Sequence, residues 1–548
     1  MPTIESYPAA SWRPNQLDYC RMILAVVQQQ GDHRIGLEGP CGCGKSIGYL
    51  RAAMDPRCPP CVVLSTTRQH LTQIEETLAT HWPGGDWAIL RGRSYYGCCD
   101  APKQGKKLDD VDPDPSAEHV GTKCPLGETC RYRQAVLECG SAKVVVQCTI
   151  GHLYRREYWA ASDPTTAKDA ALAQARRSIV DRQVVILDEA HEYVKVRREF
   201  ETVKLAMYAR TWLSGATARA LEGARVQRGG YKAGYIVLSD PRHAALRAAV
   251  QADLEATLAK VDREIDNETV DAKAKRLLVM QGKLKTRIDV LAKADPSNPD
   301  GSNRVVSMQW SGDFADLVSE PARAYTQDKL ARVEVFTSAT LAPVARLLHI
   351  EDQWVKIFPE IFDWARNVKL MPLAEQDPTG RRNTPMDPGL LEGLYDQPNR
   401  PTTIVLAFSK AHAKSMTARV QGQPGVFIQG EDSEVSLGQL VDQAKAYGTG
   451  AFLVAYGGWV GTDIPGQKWL ILGSIPKSPL SAAAEGRAAH NRTSPWNDFE
   501  RNAMDRLQLQ QGLGRALRTA EDQAVLIWVN NQASRDAGLN PQTGRLRP

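Results

Sequence analysis

The sequence lacks a large excess of charge of either sign: 68 Lys and Arg stand against 63 Asp and Glu, a net +5 over 548 residues. So even a balance excludes the strongly basic class that coats polyanions, and any basic surface must be local. It also lacks an apolar run long enough to cross a bilayer, and the opening MPTIESYPAASWRP has no basic stretch followed by an apolar one. No membrane is expected, and the cytosol is the expected compartment. The 11 cysteines are odd in number. Without an export pattern that disfavours a disulfide framework and leaves metal binding, redox chemistry or core packing. What is present, 43% hydrophobic and 24% charged residues, is the composition of folded globular domains.

Short apolar runs recur between helical patterns: RIGLEG, CVVLSTT at 61–67, KVVVQCT at 143–149 and QVVILDEA at 183–190. Bounded by turns and helices, they predict parallel strands buried on both faces, an α/β core. A second series, at 332–340, 402–409, 450–456, 468–474 and 523–530, continues that core and adds another. Two stretches break the alternation. Residues 97–141 are rich in Cys, Lys, Asp and Pro. In residues 193–304, Leu246, Val250, Leu254, Leu258, Val261 and Ile265 recur at helical spacing, as do Leu277, Met280, Leu284, Ile288 and Leu291. That predicts an antiparallel helical hairpin, whose seam fits a spacer and a substrate-gripping element equally. Apart from the seam there is no internal repeat, and DPSNPDGSN at 295–303 is the clearest linker.

Gly39-Pro40-Cys41-Gly42-Cys43-Gly44-Lys45-Ser46 satisfies G-x-x-x-x-G-K-[ST] between a strand and a helix pattern. Glycines at 39, 42 and 44 let backbone N–H groups wrap phosphates, Lys45 reaches the β and γ phosphates, and Ser46 ligates Mg²⁺. Asp188-Glu189-Ala190-His191 ends a strand pattern; Asp188 is suited to hold Mg²⁺ through water and Glu189 to deprotonate the attacking water. Near the end lies Gln511-Gly512-Leu513-Gly514-Arg515-Ala516-Leu517-Arg518. Read as helix, it places Arg515 and Arg518 on one face as arginine fingers for the γ-phosphate. Fingers so far from Lys45 imply that ATP lies in a cleft between two cores.

With these motifs in place the chain resembles the XPD/DinG family of superfamily two helicases. Trp12-Arg13-Pro14-Asn15-Gln16 is similar to its adenine-reading segment, with Gln16 as the base contact. Ser65-Thr66-Thr67, with Leu71 and Gln73, resembles motif Ia on the DNA track. Thr337-Ser338-Ala339-Thr340-Leu341 resembles the S-A-T motif, and Trp459 to Gly466, with Asp463 as a nucleotide-site residue, the W-E-G-x-D-x-P-G motif. The resemblance also implies roles for His191 and Gln511 in the catalytic set.

It implies an α/β fold with two RecA-like motor domains. Motor domain 1 is expected in three parts, 1–91, 142–192 and 305–350, with an iron–sulfur domain at 92–141, a helical Arch at 193–304, and motor domain 2 at 351–548. It further implies 5′-to-3′ translocation on single-stranded DNA by a monomer, acting on forked duplex or RNA–DNA hybrid. Three positions depart from the family: Val460 replaces Glu, Gln147-Cys148-Thr149 replaces Asn-His or Asn-Tyr, and Asn530 replaces the Asp that ends the last strand. They leave room for a rival class, an ATP-switched nucleic-acid-binding scaffold without unwinding. No nuclease constellation precedes the motor.

Cys98, Cys99, Cys124, Cys130, Cys139 and Cys148 crowd one stretch. Gly92 to Cys98 resembles the family's first cluster-ligand segment and Cys130-Arg131-Tyr132 its last, with Cys124 between. The wide spacing without a C-x-x-C pair fits an iron–sulfur cluster, of 4Fe-4S type, better than a zinc knuckle. His119 stands where a DinG-type chain carries its second Cys and is taken as the fourth ligand. Cys99 competes, and so does Cys139, although a helix over 131–138 would separate it from Cys130 by roughly 13 Å. Cys58-Pro59-Pro60-Cys61 precedes a buried strand and is read as structural rather than redox-active.

Overall fold

Five of the predicted apolar runs, together with two further strands, build one parallel sheet. The computed structural model describes residues 3–8, 11–40, 43–96, 129–159, 170–207, 209–227, 233–268, 270–292, 304–311, 314–321, 329–359, 361–373, 385–430, 435–456, 464–474, 495–517, 521–529, 534–535, 538–543 and 545–546. Strands β1 (His33–Glu38), β2 (Cys61–Ser65), β3 (Trp87–Leu90), β4 (Val144–Cys148) and β5 (Val184–Leu187) come first. They alternate with helices α1 (Gln16–Val27), α2 (Lys45–Met54), α3 (Arg68–His81), α4 (Arg131–Ser141), α5 (Thr149–Trp159) and α6 (Ala170–Val180). Every residue of β2 and β5 is buried, as expected of strands with helices on both faces. Each fully buried Val or Leu there contributes about 1.5–3 kcal/mol.

The chain divides into two compact units, and the second takes in Val194–Gln327 and Pro479–Arg501. It contains β6 (Val203–Met207), β7 (Val226–Gln227), β8 (Ala233–Val237), β9 (Arg304–Ser311) and β10 (Phe314–Pro321). These form an antiparallel sheet of order β6-β10-β9-β8-β7. Helices α7 (Ala244–Asp266) and α8 (Asp271–Ala292) pack together as the predicted pair. Val250, Leu254, Val261, Leu277, Leu284 and Leu291 enter the same core as Val306, Met308 and Leu317 of the sheet. The helical expectation for this region is thus corrected: the hairpin is present, but its apolar seam is buried against a sheet. β9 shows why, since Val306, Met308 and Trp310 point to that core while Ser307 and Gln309 alternate with them. The linker at 295–303 lies outside the described residues.

The first unit resumes with β11 (Val333–Ser338) and β12 (Val355–Ile357), which complete a parallel sheet of order β12-β1-β11-β5-β2-β4-β3. Six more strands follow: β13 (Val368–Leu373), β14 (Thr402–Ala407), β15 (Val426–Ile428), β16 (Phe452–Tyr456), β17 (Gln467–Leu472) and β18 (Gln523–Val529). They make a second parallel sheet, β13-β18-β17-β14-β16-β15, cored on both faces. Helix α9 (Pro495–Leu513) leads into its last strand. In the first sheet β1, β11 and β5 are neighbours. Their carboxyl ends, where α/β sheets bind ligands, therefore bring the P-loop, the S-A-T segment and the Asp188 segment side by side.

Candidate nucleotide and strand-coupling site

The loop after β1 turns into α2 through Gly44, which has a φ of +78°, a left-handed conformation that glycine adopts without strain. Gly39 is constrained by space: a Cβ there would stand 3.0 Å from Lys45 Cγ and 3.1 Å from Cys43 Sγ. Gln16 is buried, and its Nε2 donates to the Gly44 carbonyl at 2.8 Å while its Oε1 accepts from Arg13 N–H at 3.2 Å. The segment before Gln16 is anchored by the Arg51 guanidinium, 4.2 Å over the Trp12 ring, and by Asn15 Nδ2, which donates to the Pro359 carbonyl at 2.7 Å. Cys41 and Gly42 lie outside the described residues.

Asp188 is the hub. Its Oδ1 accepts from Thr337 Oγ1 at 3.0 Å and from Glu189 N–H at 2.8 Å. Its Oδ2 accepts from the Tyr49 hydroxyl and lies 3.3 Å from His70 Nε2. Burial and the Asp188 charge push the Tyr49 hydroxyl well above its usual range, so it remains a neutral donor. Glu189 adopts a left-handed φ of 47°, a costly conformation for a non-glycine residue. Burial alone would raise the Glu189 carboxyl, but His191, Lys45, His70 and Arg515 outweigh it and hold the group below the usual carboxylate range.

His191 Nδ1 lies 2.7 Å from Ser338 Oγ, and its Nε2 contacts the Gln511 side-chain amide. Ser338 Oγ also accepts from Thr340 N–H at 3.0 Å. His191 thereby links the end of β5, the end of β11 and helix α9, which belongs with the second parallel sheet. Glu38 makes a parallel link: its Oε2 accepts from Leu341 N–H at 2.7 Å and Ala342 N–H at 2.6 Å. Gln510 Nε2 reaches its Oε1 at 3.5 Å. Burial pushes the Glu38 carboxyl up, with those N–H bonds offsetting only part of the rise.

The expectation that Arg515 and Arg518 share a helical face is corrected. Helix α9 stops at Leu513, between Gly512 and Gly514, and Arg515 N–H and Ala516 N–H close tight turns on Gly512 and Leu513. Arg515 is buried, and Glu189 feels its charge. Arg518 and Asp463 lie outside the described residues.

No protein-family model matches the chain. Over 211 residues it is 26% identical to ATP-dependent DNA helicase YoaA of Escherichia coli (strain K12), a match covering 36% of this chain and 33% of that protein. The aligned part therefore spans about a third of the relative's length. Across 95% of the chain the fold is similar to 96% of an XPD helicase, with a TM-score of 0.53 at 13% identity. Xpd4 of S. tokodaii is similar over 98% of this chain and 100% of its own, with a TM-score of 0.52 at 13% identity. The chain has the fold of the XPD helicases.

One departure from the XPD/DinG pattern is compensated within the fold. Gln147, at the end of β4, is buried, with Nε2 2.7 Å from His152 Nδ1 and Oε1 accepting from Arg155 Nη1 at 2.5 Å. Arg155 Nη2 then donates to the Arg91 carbonyl at 2.9 Å. Burial, reinforced by Arg155 and Arg156, pushes the His152 imidazole down to about 3, which keeps it neutral and able to accept from the amide. Thr149 Oγ1 donates to the Ser65 carbonyl at 3.1 Å. Val460 and Asn530 lie outside the described residues.

Of the sequence-predicted cluster ligands, Cys98, His119 and Cys124 lie outside the described residues, as does Cys99. Cys130 is described; it is buried and sits just before α4. Cys139 shares the buried face of α4 with Tyr132, Ala135 and Val136, and burial pushes its thiol up to about 12, the state of a core cysteine rather than a metal-binding thiolate. Cys58 and Cys61 are also core residues. Among the described residues no group of three or more His, Cys, Asp or Glu is placed to hold a metal, and no helix is long and apolar enough to cross a membrane. Sequence reasoning missed Tyr49, His70 and Glu38, and it missed Thr337 as a partner of Asp188. Thr337 had a signal, its place in the S-A-T segment; the others had none beyond their proximity to known motifs.

Proposed function

We propose that the chain is an ATP-hydrolysing motor that moves 5′ to 3′ on single-stranded DNA and separates forked duplex or RNA–DNA hybrid. The observation that carries this reading is the convergence of Asp188, Glu189 and His191 with Thr337, Ser338 and the P-loop, joined through Gln511 to the second sheet. YoaA, by its name an ATP-dependent DNA helicase, supports the same activity here.

In this mechanism Gln16 reads the adenine and the loop glycines cradle the phosphates. Lys45 neutralises the β and γ phosphates. Ser46 and Asp188 would hold Mg²⁺, which when bound offsets phosphate charge. Glu189 is held ionised by the charges around it, so it can accept a proton from water as the water oxygen attacks the γ-phosphorus. The bond to the bridging oxygen breaks, and ADP leaves with that oxygen. Arg515, and Arg518 with it, supply positive charge as the transition state forms. His191 and Gln511 report the change across the two sheets. Asp463 completes the nucleotide site from the second motor domain.

The cysteine-rich stretch is assigned a 4Fe-4S cluster held by Cys98, His119, Cys124 and Cys130. Cys130 fits this role, because its thiol is buried where α4 meets the stretch carrying the other three. The cluster would cross-link a stretch whose sequence is rich in Cys, Lys, Asp and Pro.

ATP turnover by the purified chain, with and without a single-stranded oligonucleotide, tests the motor reading: stimulation by the strand is expected, and its absence overturns it. In the same assay Arg515→Ala is expected to lower kcat by about a hundredfold or more, with nucleotide affinity reduced much less, because a finger acts on the transition state. An equal loss of affinity with an unchanged bound-state rate would make Arg515 a ground-state ligand instead.

A further inference from the structure

Two of the donors on Asp188 come from deep within the fold: the Tyr49 hydroxyl from α2 and Thr337 from β11, both fully buried. A third is the N–H of the adjacent Glu189. His70 differs from all of these. It lies in the first turn of α3, directly after the Ser65-Thr66-Thr67 segment, and its own N–H is held by Thr67 Oγ1 at 3.1 Å. Ser65 Oγ in turn donates to the Thr67 carbonyl at 3.0 Å.

The His70 ring therefore spans a short mechanical path. At one end is the segment that resembles the DNA track; at the other, 3.3 Å from Nε2, is Asp188 Oδ2. Nδ1 is buried and has no hydrogen-bond partner among the described residues, so Nε2 is the ring nitrogen that faces the carboxylate. Tyr49, Thr337 and the Glu189 N–H donate to this carboxylate, and the His70 ring stands beside its Oδ2. The His70 contact is the longest of the four, and His70 lies on the helix that Thr67 caps.

We propose that His70 is a positioning residue that couples occupancy of the Ser65–Thr67 segment to the hold on the Asp188 carboxylate, and so sets how strongly a single strand stimulates ATP turnover. This rests on the motor reading above, with Asp188 in the hydrolysis centre and Ser65–Thr67 on the strand track. His70 touches neither nucleotide nor strand in this scheme; it acts through Asp188.

The test uses the full chain and two variants, His70→Leu, which removes the donor at similar volume, and His70→Gln, which retains an amide donor. Turnover is measured with and without saturating oligonucleotide. Affinities for a fluorescent ADP analogue and for the labelled strand are measured in parallel. For His70→Leu the ratio of the strand-stimulated to the strand-free rate is expected to fall about tenfold, with both affinities within about twofold of the wild type. His70→Gln should recover most of the stimulation. An unchanged stimulation ratio in His70→Leu overturns the proposal, and so does an equal fall in both rates or a failure of His70→Gln to recover. If the wild-type chain shows no strand-stimulated turnover, the motor reading fails as well, and that outcome is recognised before either variant is measured.

Discussion

Lys45→Ala is expected to abolish ATP turnover, lowering it by at least about a hundredfold, while single-strand affinity stays near that of the wild type. The lysine stands at the start of α2, and its charge is felt by both Glu38 and Glu189, so alanine removes the cation shared by the phosphate cradle and the two carboxylates. Without it Glu189 loses one of the charges that oppose its burial. The Ser65–Thr67 segment at the end of β2 is built from other residues and keeps its internal hydrogen bonds. Turnover by a contaminant-free preparation and anisotropy of a labelled oligonucleotide check the two halves. Substantial residual turnover would count against the assigned P-loop.

Cys124→Ser is expected to remove the visible absorption of an iron–sulfur cluster and to abolish duplex separation, leaving strand-stimulated ATP turnover reduced but measurable. Serine replaces a strong thiolate ligand with a poor one, and loops organised by a metal lose their order with it. The nucleotide site draws on β1, β5, β11 and α9, none of which contains a cluster ligand, so it should survive. The spectrum of anaerobically purified protein and a forked-substrate assay on folded variant give the result. Wild-type unwinding without bound metal would remove the cluster from the separation machinery, and a colourless wild-type protein containing zinc would replace the cluster altogether.

The two sequences that carry the chemistry were legible because their functional groups are contiguous. A phosphate cradle needs glycines and a lysine in one turn, and the paired carboxylates follow one strand. The parallel strands were legible for a related reason: CVVLS and VVIL are apolar at every position, as burial on both faces demands. The donors that fix Asp188 were hidden, because Tyr49, His70 and Thr337 lie on three separate elements and only the strand order β1-β11-β5-β2 brings them together. The antiparallel sheet of the second unit was missed although a signal existed. Gly312-Asp313 between VVSMQWS and FADLVS is a hairpin signature, but the long helical seam beside it dominated the reading. The helix read through Arg518 from the three-residue spacing of its arginines was overextended, because Gly512 and Gly514 end it.

Strand displacement most directly tests the claim that this ATP site drives strand separation. A labelled duplex with a single-stranded 5′ overhang and one with a 3′ overhang are each mixed with the purified chain and ATP, or with a non-hydrolysable analogue. The account predicts release of the labelled strand from the 5′-overhang substrate alone, with ATP alone. Strand-stimulated hydrolysis with no release from either substrate would contradict it and leave an ATP-switched binding protein in its place.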